Sequence, residues 1–328
     1  MNDKKTRVAV IGAGDYAGRY HIPHLVANPH VALQALVARN PETLAQKAAL
    51  FGVPRWYTDY SVLLEREELD AVVVSGPHTL HYELAKAALR RGLHVLVDKH
   101  VVMHAAEWRE LIALAADKNV TLMPALNRHL DPGNLYAKQL IRAGALGEVY
   151  FAFSTQINYP LDRHYTSLAL AGGGPLVGRG SHMAALIPWL TGWRPQEVSA
   201  AVASNPGAEI EASGIVNVRT EGGQLFQLAA VKTGYTDVDE VRVIGTAGAI
   251  LLSRPVPYRP WQVTHFGPGG QVQPLGELPS GETTTDHFVR VVRGETSLRV
   301  PPEDALPSVQ IVEAAYESVR SGRTVKLS

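Results

Sequence analysis

The hydrophobic pattern of this chain changes period once, near residue 126. Before that point, short runs that are almost wholly apolar alternate with longer stretches in which apolar positions recur every three or four residues. The runs at 8–11, 31–37, 70–74, 94–97 and 120–123 fit strands covered on both faces. The stretches at 16–27, 41–51, 79–91 and 105–118 fit helices, with Pro41 opening the second, Thr79 expected to cap the third, and Gly52 and Gly92 standing as stops. Strands alternating with helices, without hairpin turns, predict a parallel doubly wound sheet.

Beyond residue 126 one more helix is predicted at 132–143, and then strict alternation begins. It runs through 149–157, 198–203, 212–218, 224–231 and 240–244, with turn residues at 221–223 and 246–248. This predicts a large, mostly antiparallel sheet with an apolar helix at 183–190, a final helix at 302–321 and a last strand at 324–327. Residues 255–283 are rich in Pro and Gly and are expected to form a long loop. The expected division is a nucleotide-binding α/β domain over 1–125 and an α+β domain over 126–328. A sheet covered on one face leaves the other for a second copy, so a dimer or tetramer is expected.

Composition narrows the partners. The 328 residues carry 31 basic and 31 acidic side chains, a net charge of zero, which disfavours nucleic acid and anionic membrane. Cysteine is absent, excluding disulfides and thiolate chemistry. The opening residues lead straight into the first strand without an apolar leader, and no apolar run could span a bilayer, so the expected location is cytoplasmic. Among 13 histidines, no H-x-x-x-H on a plausible helix faces a carboxylate partner, and the i,i+3 pairs His21/His24 and His78/His81 each flank an expected cofactor-site turn, so no metal is expected.

The candidate chemistry begins at residue 12. Gly12, Gly14 and Ala17 form G-x-G-x-x-A between a strand pattern and a helix pattern, with Asp15 and Tyr16 in the opening turn. Gly12 allows a sharp turn, Gly14 leaves the backbone open to a pyrophosphate, and Ala17 lets helix and strand approach. The end of the second strand, where an acidic residue would hold a ribose 2′-hydroxyl, carries Ala38 and Arg39. A guanidinium suits a 2′-phosphate, so NADP is the first choice and NAD the alternative. Ser75, Pro77, His81, Asp98 and Lys99 fall at the same rim, beyond the strand C-termini, and join the expected cofactor site.

Taken together, these segments resemble the Gfo/Idh/MocA family of glucose–fructose oxidoreductase and inositol dehydrogenase. The start, with His21, Pro23 and Leu25 in phase, is similar to "IGxGxxAxxxHxPxL". Residues 75–81 resemble "TPNxxH", residues 92–100 "GKHVLxEKP", residues 127–132 "xxRxxP" and residues 172–182 "GGGxLxDxGxH". The resemblance implies a Rossmann domain, an open-faced sheet used in self-association, and hydride transfer between nicotinamide and a carbinol carbon of a sugar-like or cyclic compound. It implies that Lys99 touches the reacting oxygen and that His182 is the acid/base.

The departures from that pattern concern the same chemistry. Asp98 stands in place of Glu, His100 in place of Pro, and Gly178 in place of Asp. His78 and His100 are therefore read as substrate-facing groups, and Tyr159, Arg163 and His164 as a loop over the substrate. The missing carboxylate at Gly178 keeps two alternatives open. One is an enzyme using tightly bound NAD(P) for transient oxidation with elimination or glycoside cleavage. The other is a non-catalytic nucleotide sensor.

Overall fold

The computed structural model describes residues 4–157, 167–232, 238–254 and 259–327. The chain forms two compact units, Met1–Leu126 with Glu282–Glu303, and Asn127–Gly281 with Asp304–Ser328.

The first unit is built on six parallel strands, β1 (Thr6–Ile11), β2 (Val31–Val37), β3 (Arg55–Tyr57), β4 (Ala71–Val74), β5 (His94–Val97) and β6 (Leu122–Pro124), in the order β3-β2-β1-β4-β5-β6. The order reverses between β1 and β4, which opens a crevice at the strand C-termini. Val8, Val10, Val72, Val73, Val95 and Leu96 are wholly buried, as unbroken apolar strands covered on both faces must be. The helices are α1 (Asp15–Arg19), α2 (His21–Ala27), α3 (Pro41–Phe51), α4 (Tyr60–Arg66), α5 (His81–Arg90) and α6 (Ala105–Lys118). The start of α3 follows from its sequence. The Asn40 side chain accepts from the N–H groups of Glu42 (3.0 Å) and Thr43 (3.1 Å), Pro41 needs no donor there, and Gly52 closes the helix at φ +66°.

Three expectations change. The single helix at 16–27 breaks at Tyr20 into α1 and α2. The short elements β3 and α4 lie where no element was expected; β3 is an exposed edge strand without a buried period, and α4 is capped by Asp59. Thr79 does not cap α5: a 3₁₀ turn at His78–Leu80 intervenes, and Leu80 precedes the helix without a side-chain cap.

The second unit begins with α7 (Pro132–Arg142). Its eight-stranded sheet starts with β7 (Val149–Ile157), and α8 (Leu168–Ala171), a π-helical turn (Leu176–Gly180) and α9 (Ser181–Thr191) follow. The sheet continues with β8 (Pro195–Ala203), β9 (Ser213–Thr220), β10 (Leu225–Val231), β11 (Val238–Gly245), β12 (Ala249–Arg254) and β13 (Gln262–Phe266). Its order is β13-β12-β11-β7-β10-β9-β8 with a final strand on β8, and all pairs are antiparallel except β7 with β10. Strands β12 and β13 lie beyond the last strand expected in this region. Phe226, Leu228, Val241 and Val243 face a core shared with Met183, Ile187 and Ile311, while Ile215 and Leu225 on the alternate positions are about half exposed, at 46% and 50%.

The chain returns to the first unit through α10 (Thr284–Val292), which packs on α2 and β5. The expected single domain over 126–328 is thus interrupted by 282–303. Apolar Phe288 and Val289 are buried on this helix, but the Pro- and Gly-rich run before it hid its pattern. The chain ends with α11 (Leu306–Ser321) and β14 (Val325–Lys326) in the second unit.

Candidate active site

The glycine turn is fixed by contact. At Gly12, φ is +90° and an added Cβ would lie 1.2 Å from the Ser75 carbonyl oxygen, so β1 and the end of β4 meet there through glycine alone. The Gly12 and Ala13 N–H groups both donate to the Val37 carbonyl, at 2.9 and 2.8 Å, which ties the turn to β2. Gly14 differs: a Cβ there would meet nothing within 4 Å, and its exposed backbone precedes α1. This open backbone in front of a helix start is the cradle a pyrophosphate requires, so the residues fit a pyridine dinucleotide. Ala17 is fully buried, Asp15 is exposed, and Tyr16 stacks on Tyr20 with ring centroids 5.6 Å apart. Sequence reading missed Lys47, whose Nζ donates to the carbonyls of Ala13 (2.8 Å) and Gly14 (2.6 Å) and holds the turn from behind. Arg39 is exposed just past β2 and makes no hydrogen bond or ion pair among the described residues.

The end of β5 is braced by buried polar groups. Asp98 is 5% exposed; its Oδ2 accepts from Ser75 Oγ at 3.1 Å and its Oδ1 from the Lys99 backbone N–H at 2.9 Å. Burial alone would raise the Asp98 carboxyl, but His21, Lys99 and His81 around it hold it below the usual carboxylate range. His21 Nε2 stands 3.9 Å from Asp98 Oδ2, and its Nδ1 contacts Thr285 Oγ1 at 2.8 Å. His81 joins two turns: Nδ1 lies 2.8 Å from the His100 carbonyl oxygen and Nε2 lies 3.2 Å from that of Gly76. The Lys99–His100 peptide is cis. Lys99 is half-buried and emerges from this braced turn. Pro77 starts the neighbouring turn, again half-buried.

His78 and His100, the two histidines read as substrate-facing, are buried. They are 5% and 1% exposed, and burial together with the Lys99 charge pushes His100 down to about 3. His100 is therefore a neutral imidazole at physiological pH, with a ring nitrogen able to donate or accept a hydrogen bond but no proton to give as an acid.

The second unit fixes His182 in the first turn of α9. Ser181 Oγ donates to the Val177 carbonyl at 2.6 Å, and Ser308 Oγ on α11 donates to the Ser181 carbonyl at 2.8 Å. The π-helical turn that leads into α9 is the kind of irregularity often retained at functional sites. Upstream, Glu211 accepts from the N–H groups of Gly174 (2.9 Å) and Leu176 (3.1 Å) and from the Tyr316 hydroxyl (2.8 Å). A Cβ at Gly174 would strike the Glu211 carbonyl at 2.2 Å, which explains one glycine of the run 172–174. At Gly178 a Cβ would meet nothing within 4 Å, so glycine there is no steric requirement. Tyr159, Arg163 and His164 lie outside the described residues.

A charged row that sequence reading did not find crosses the end of the second sheet. Gln156 on β7, Asp239 on β11 and Arg254 on β12 are direct cross-strand neighbours. Asp239 Oδ1 accepts from Gln156 Nε2 at 2.6 Å. Its Oδ2 accepts from Arg128 Nη2 at 3.3 Å, from Arg254 Nε at 3.0 Å and from Arg254 Nη2. Both guanidiniums lie over the Trp261 ring, 5.0 and 5.3 Å from its centroid. Burial would raise the Asp239 carboxyl, but Arg128 and Arg254 outweigh it and hold it far below its usual range. Burial also brings Arg128 down to about 9, so it stays charged at neutral pH.

Family and structure comparisons agree with this architecture. Residues 6–126 match the model for the oxidoreductase family with an NAD-binding Rossmann fold, and residues 134–251 match the GFO/IDH/MocA C-terminal domain. The chain is 29% identical over 331 residues to dTDP-3,4-didehydro-2,6-dideoxy-alpha-D-glucose 3-reductase of Streptomyces antibioticus, covering 98% of this chain and 99% of that protein. It is 27% identical to D-xylose 1-dehydrogenase (NADP(+)) 2 of Haloferax volcanii, covering 97% and 98%. Among solved structures, GenD2 from gentamicin A biosynthesis in complex with NAD superposes with a TM-score of 0.85 at 27% identity, covering 99% of this chain and 97% of that one. The Rossmann order of the first sheet, the mostly antiparallel second sheet and these matches lead to one conclusion: the chain belongs to the GFO/IDH/MocA family of oxidoreductases, enzymes acting on CH–OH groups.

Proposed function

We propose that this protein is an NADP-preferring oxidoreductase, with NAD as the alternative cofactor, acting on a carbinol or carbonyl carbon of a sugar-like or cyclic alcohol or ketone. The observation that carries the reading is the setting of Lys99. It leaves a buried strand in the unit that holds the glycine turn, on a loop anchored by Asp98, Ser75 and His81. When bound, the nicotinamide supplies or accepts the hydride. The Lys99 ammonium donates a hydrogen bond to the reacting oxygen and stabilises negative charge as it develops there. Asp98 and His81 act through the backbone by holding that turn. The His182 imidazole takes the hydroxyl proton on oxidation and returns it on reduction, a task suited to its side-chain type near neutral pH.

Gly12, Gly14, Asp15, Tyr16, Ser75, Pro77 and Lys99 line the proposed pyrophosphate and nicotinamide path, with Ala17, His81 and Asp98 buried behind it, and Arg39 the adenosine 2′-phosphate. The sugar substrates in the names of the Streptomyces and Haloferax relatives, and the NADP in the latter, support the reading. Tyr159, Arg163 and His164 complete the proposed substrate loop. A cytoplasmic setting and pairing of two copies through the half-exposed face carrying Ile215 and Leu225 belong to the same proposal.

The test is stopped-flow absorbance of NADPH and NADH against a panel of aldoses, inositols and cyclic ketones. Lys99→Ala lowers turnover at saturating NADPH by at least ~100-fold. Unchanged turnover in that variant overturns the role of Lys99. Copurified cofactor with no net redox change favours elimination or glycoside cleavage instead.

A further inference from the structure

Among the described residues, the arginines at the end of the second sheet outnumber the carboxylates that pair with them. Asp239 is the acceptor shared by Arg128 and Arg254, and both of its oxygens are already engaged. Arg128 is 3% exposed, and its Nη1 faces the Met183 sulfur at 3.2 Å, a weak acceptor for a buried cation. A third guanidinium, Arg179, lies within electrostatic reach of both Arg128 and Asp239. It makes no hydrogen bond or ion pair among the described residues, although it is half-buried. Among the described residues, a second carboxylate near this group is Asp131, close enough to feel Arg254, and it is committed elsewhere. Its Oδ1 accepts from the N–H of Gly133 and its Oδ2 from that of Trp261. Among the described residues, three guanidiniums thus face two carboxylates, and the guanidinium without a hydrogen bond or ion pair there is the half-buried Arg179. Arg179 also sits three residues before His182, and the adjoining Gly178 leaves its surroundings open.

We propose that Arg179, backed by the positive field of Arg128 and Arg254, binds an anionic group carried by the substrate, a carboxylate or a phosphate, so that the enzyme's substrates are acidic rather than neutral sugars. The inference rests on the hydride-transfer reading for the word substrate; the anion site itself stands on the second unit alone. A planar guanidinium can offer two parallel N–H groups to either anion, which a lysine cannot. A neutral substrate would leave the surplus charge of this cluster uncompensated, at a desolvation cost that an anion removes.

The experiment uses the full chain with saturating NADPH or NADP and matched probes: glucose, glucuronate and glucose 1-phosphate, then the xylose and galactose counterparts. Calorimetry gives binding, and cofactor absorbance gives kcat/KM. At least one anionic probe binds tenfold or more tightly than its neutral parent. Arg179→Gln cuts that charged-to-neutral ratio at least tenfold, and Arg179→Lys cuts it less. Gly178→Asp, which has room for its side chain and places a competing carboxylate beside Arg179, also collapses the ratio. The probe whose ratio falls further identifies carboxylate or phosphate. Ratios near one in the parent chain, or ratios unmoved within twofold in both Arg179→Gln and Gly178→Asp, overturn the proposal. If no probe is turned over but Arg179-dependent binding of the anions persists, hydride transfer fails and the anion site stands. If neutral sugars are turned over with no charge preference, the reverse holds.

Discussion

Arg254 donates from both Nε and Nη2 to one oxygen of Asp239, its direct neighbour across the β11–β12 ladder. That carboxylate is also the counter-charge of Arg128, which is buried beneath Trp261. Removing one partner of a buried pair leaves the other as an uncompensated charge, typically at about 3–5 kcal/mol. Asp239→Ala is therefore expected to lower the urea midpoint by that equivalent at pH 7. A loss below about 1 kcal/mol would show that water replaces the carboxylate.

The two glycines of the turn separate folding from binding. Gly12→Ala places a methyl group on the Ser75 carbonyl and forces φ +90° on alanine, so both thermal stability and cofactor affinity fall. Gly14→Ala meets no protein atom within 4 Å. Its melting temperature should match the parent, while NADPH titration by fluorescence shows at least about tenfold weaker binding, because the methyl group occupies pyrophosphate space. Equal affinities in the Gly14→Ala and parent proteins would move the phosphates off this turn.

Arg39 is the residue proposed to select between the two nucleotides. The exposed guanidinium is without a polar partner among the described residues, so a 2′-phosphate would gain a charge-assisted contact there. Arg39→Ala should shift the NADPH-to-NADH ratio of dissociation constants toward NADH by about tenfold or more, a change of ~1.4 kcal/mol. The cofactor preference is independent of Arg39 if both affinities fall together.

Acid weakens this fold in two windows. The His100 side chain titrates at about 3, against about 6.5 in an unfolded chain, so the unfolded form binds more protons between those values. Its contribution is full above about pH 6.5 and is lost as pH falls, at up to about 1.4 kcal/mol per pH unit. Burial also lowers His81 and His129, which act in the same direction. Asp98 and Asp239 have depressed folded values, so what they contribute is present above about pH 4 and disappears below it. Urea midpoints measured from pH 8 to 4.5 should decline below 6.5, with a shallower slope in His100→Gln. A flat profile across that range would contradict burial of these imidazoles in the neutral form.

Features whose physical demand is local could be read from sequence. Gly12 is required by a turn six residues after β1 begins, and Pro41 and Gly52 mark the ends of α3 within a dozen positions. The relation of Asp239 to Gln156 and Arg254 was not legible, because it depends on register between strands far apart in sequence, and nothing in a strand's own pattern fixes its neighbour's offset. The burial of His100 was not legible for a similar reason. Its position after a strand suggests a rim, whereas it is 1% exposed and its carbonyl meets His81 from another turn. The exposed edge strand β3 lacked a buried face to signal it, and α10 was obscured by the Gly and Pro residues that precede it.

The return of residues 282–303 to the first unit orders the birth of this protein. A ribosome releasing the chain from its N-terminus exposes β1 to β6 early, yet the helix that packs on α2 and β5 emerges only after residue 281. Vectorial synthesis therefore cannot finish the nucleotide-gripping half first, although N-terminal domains generally fold before those behind them. Until that late helix arrives, Thr285 is not there to meet His21, and the floor beneath Asp98 waits open for its last plank.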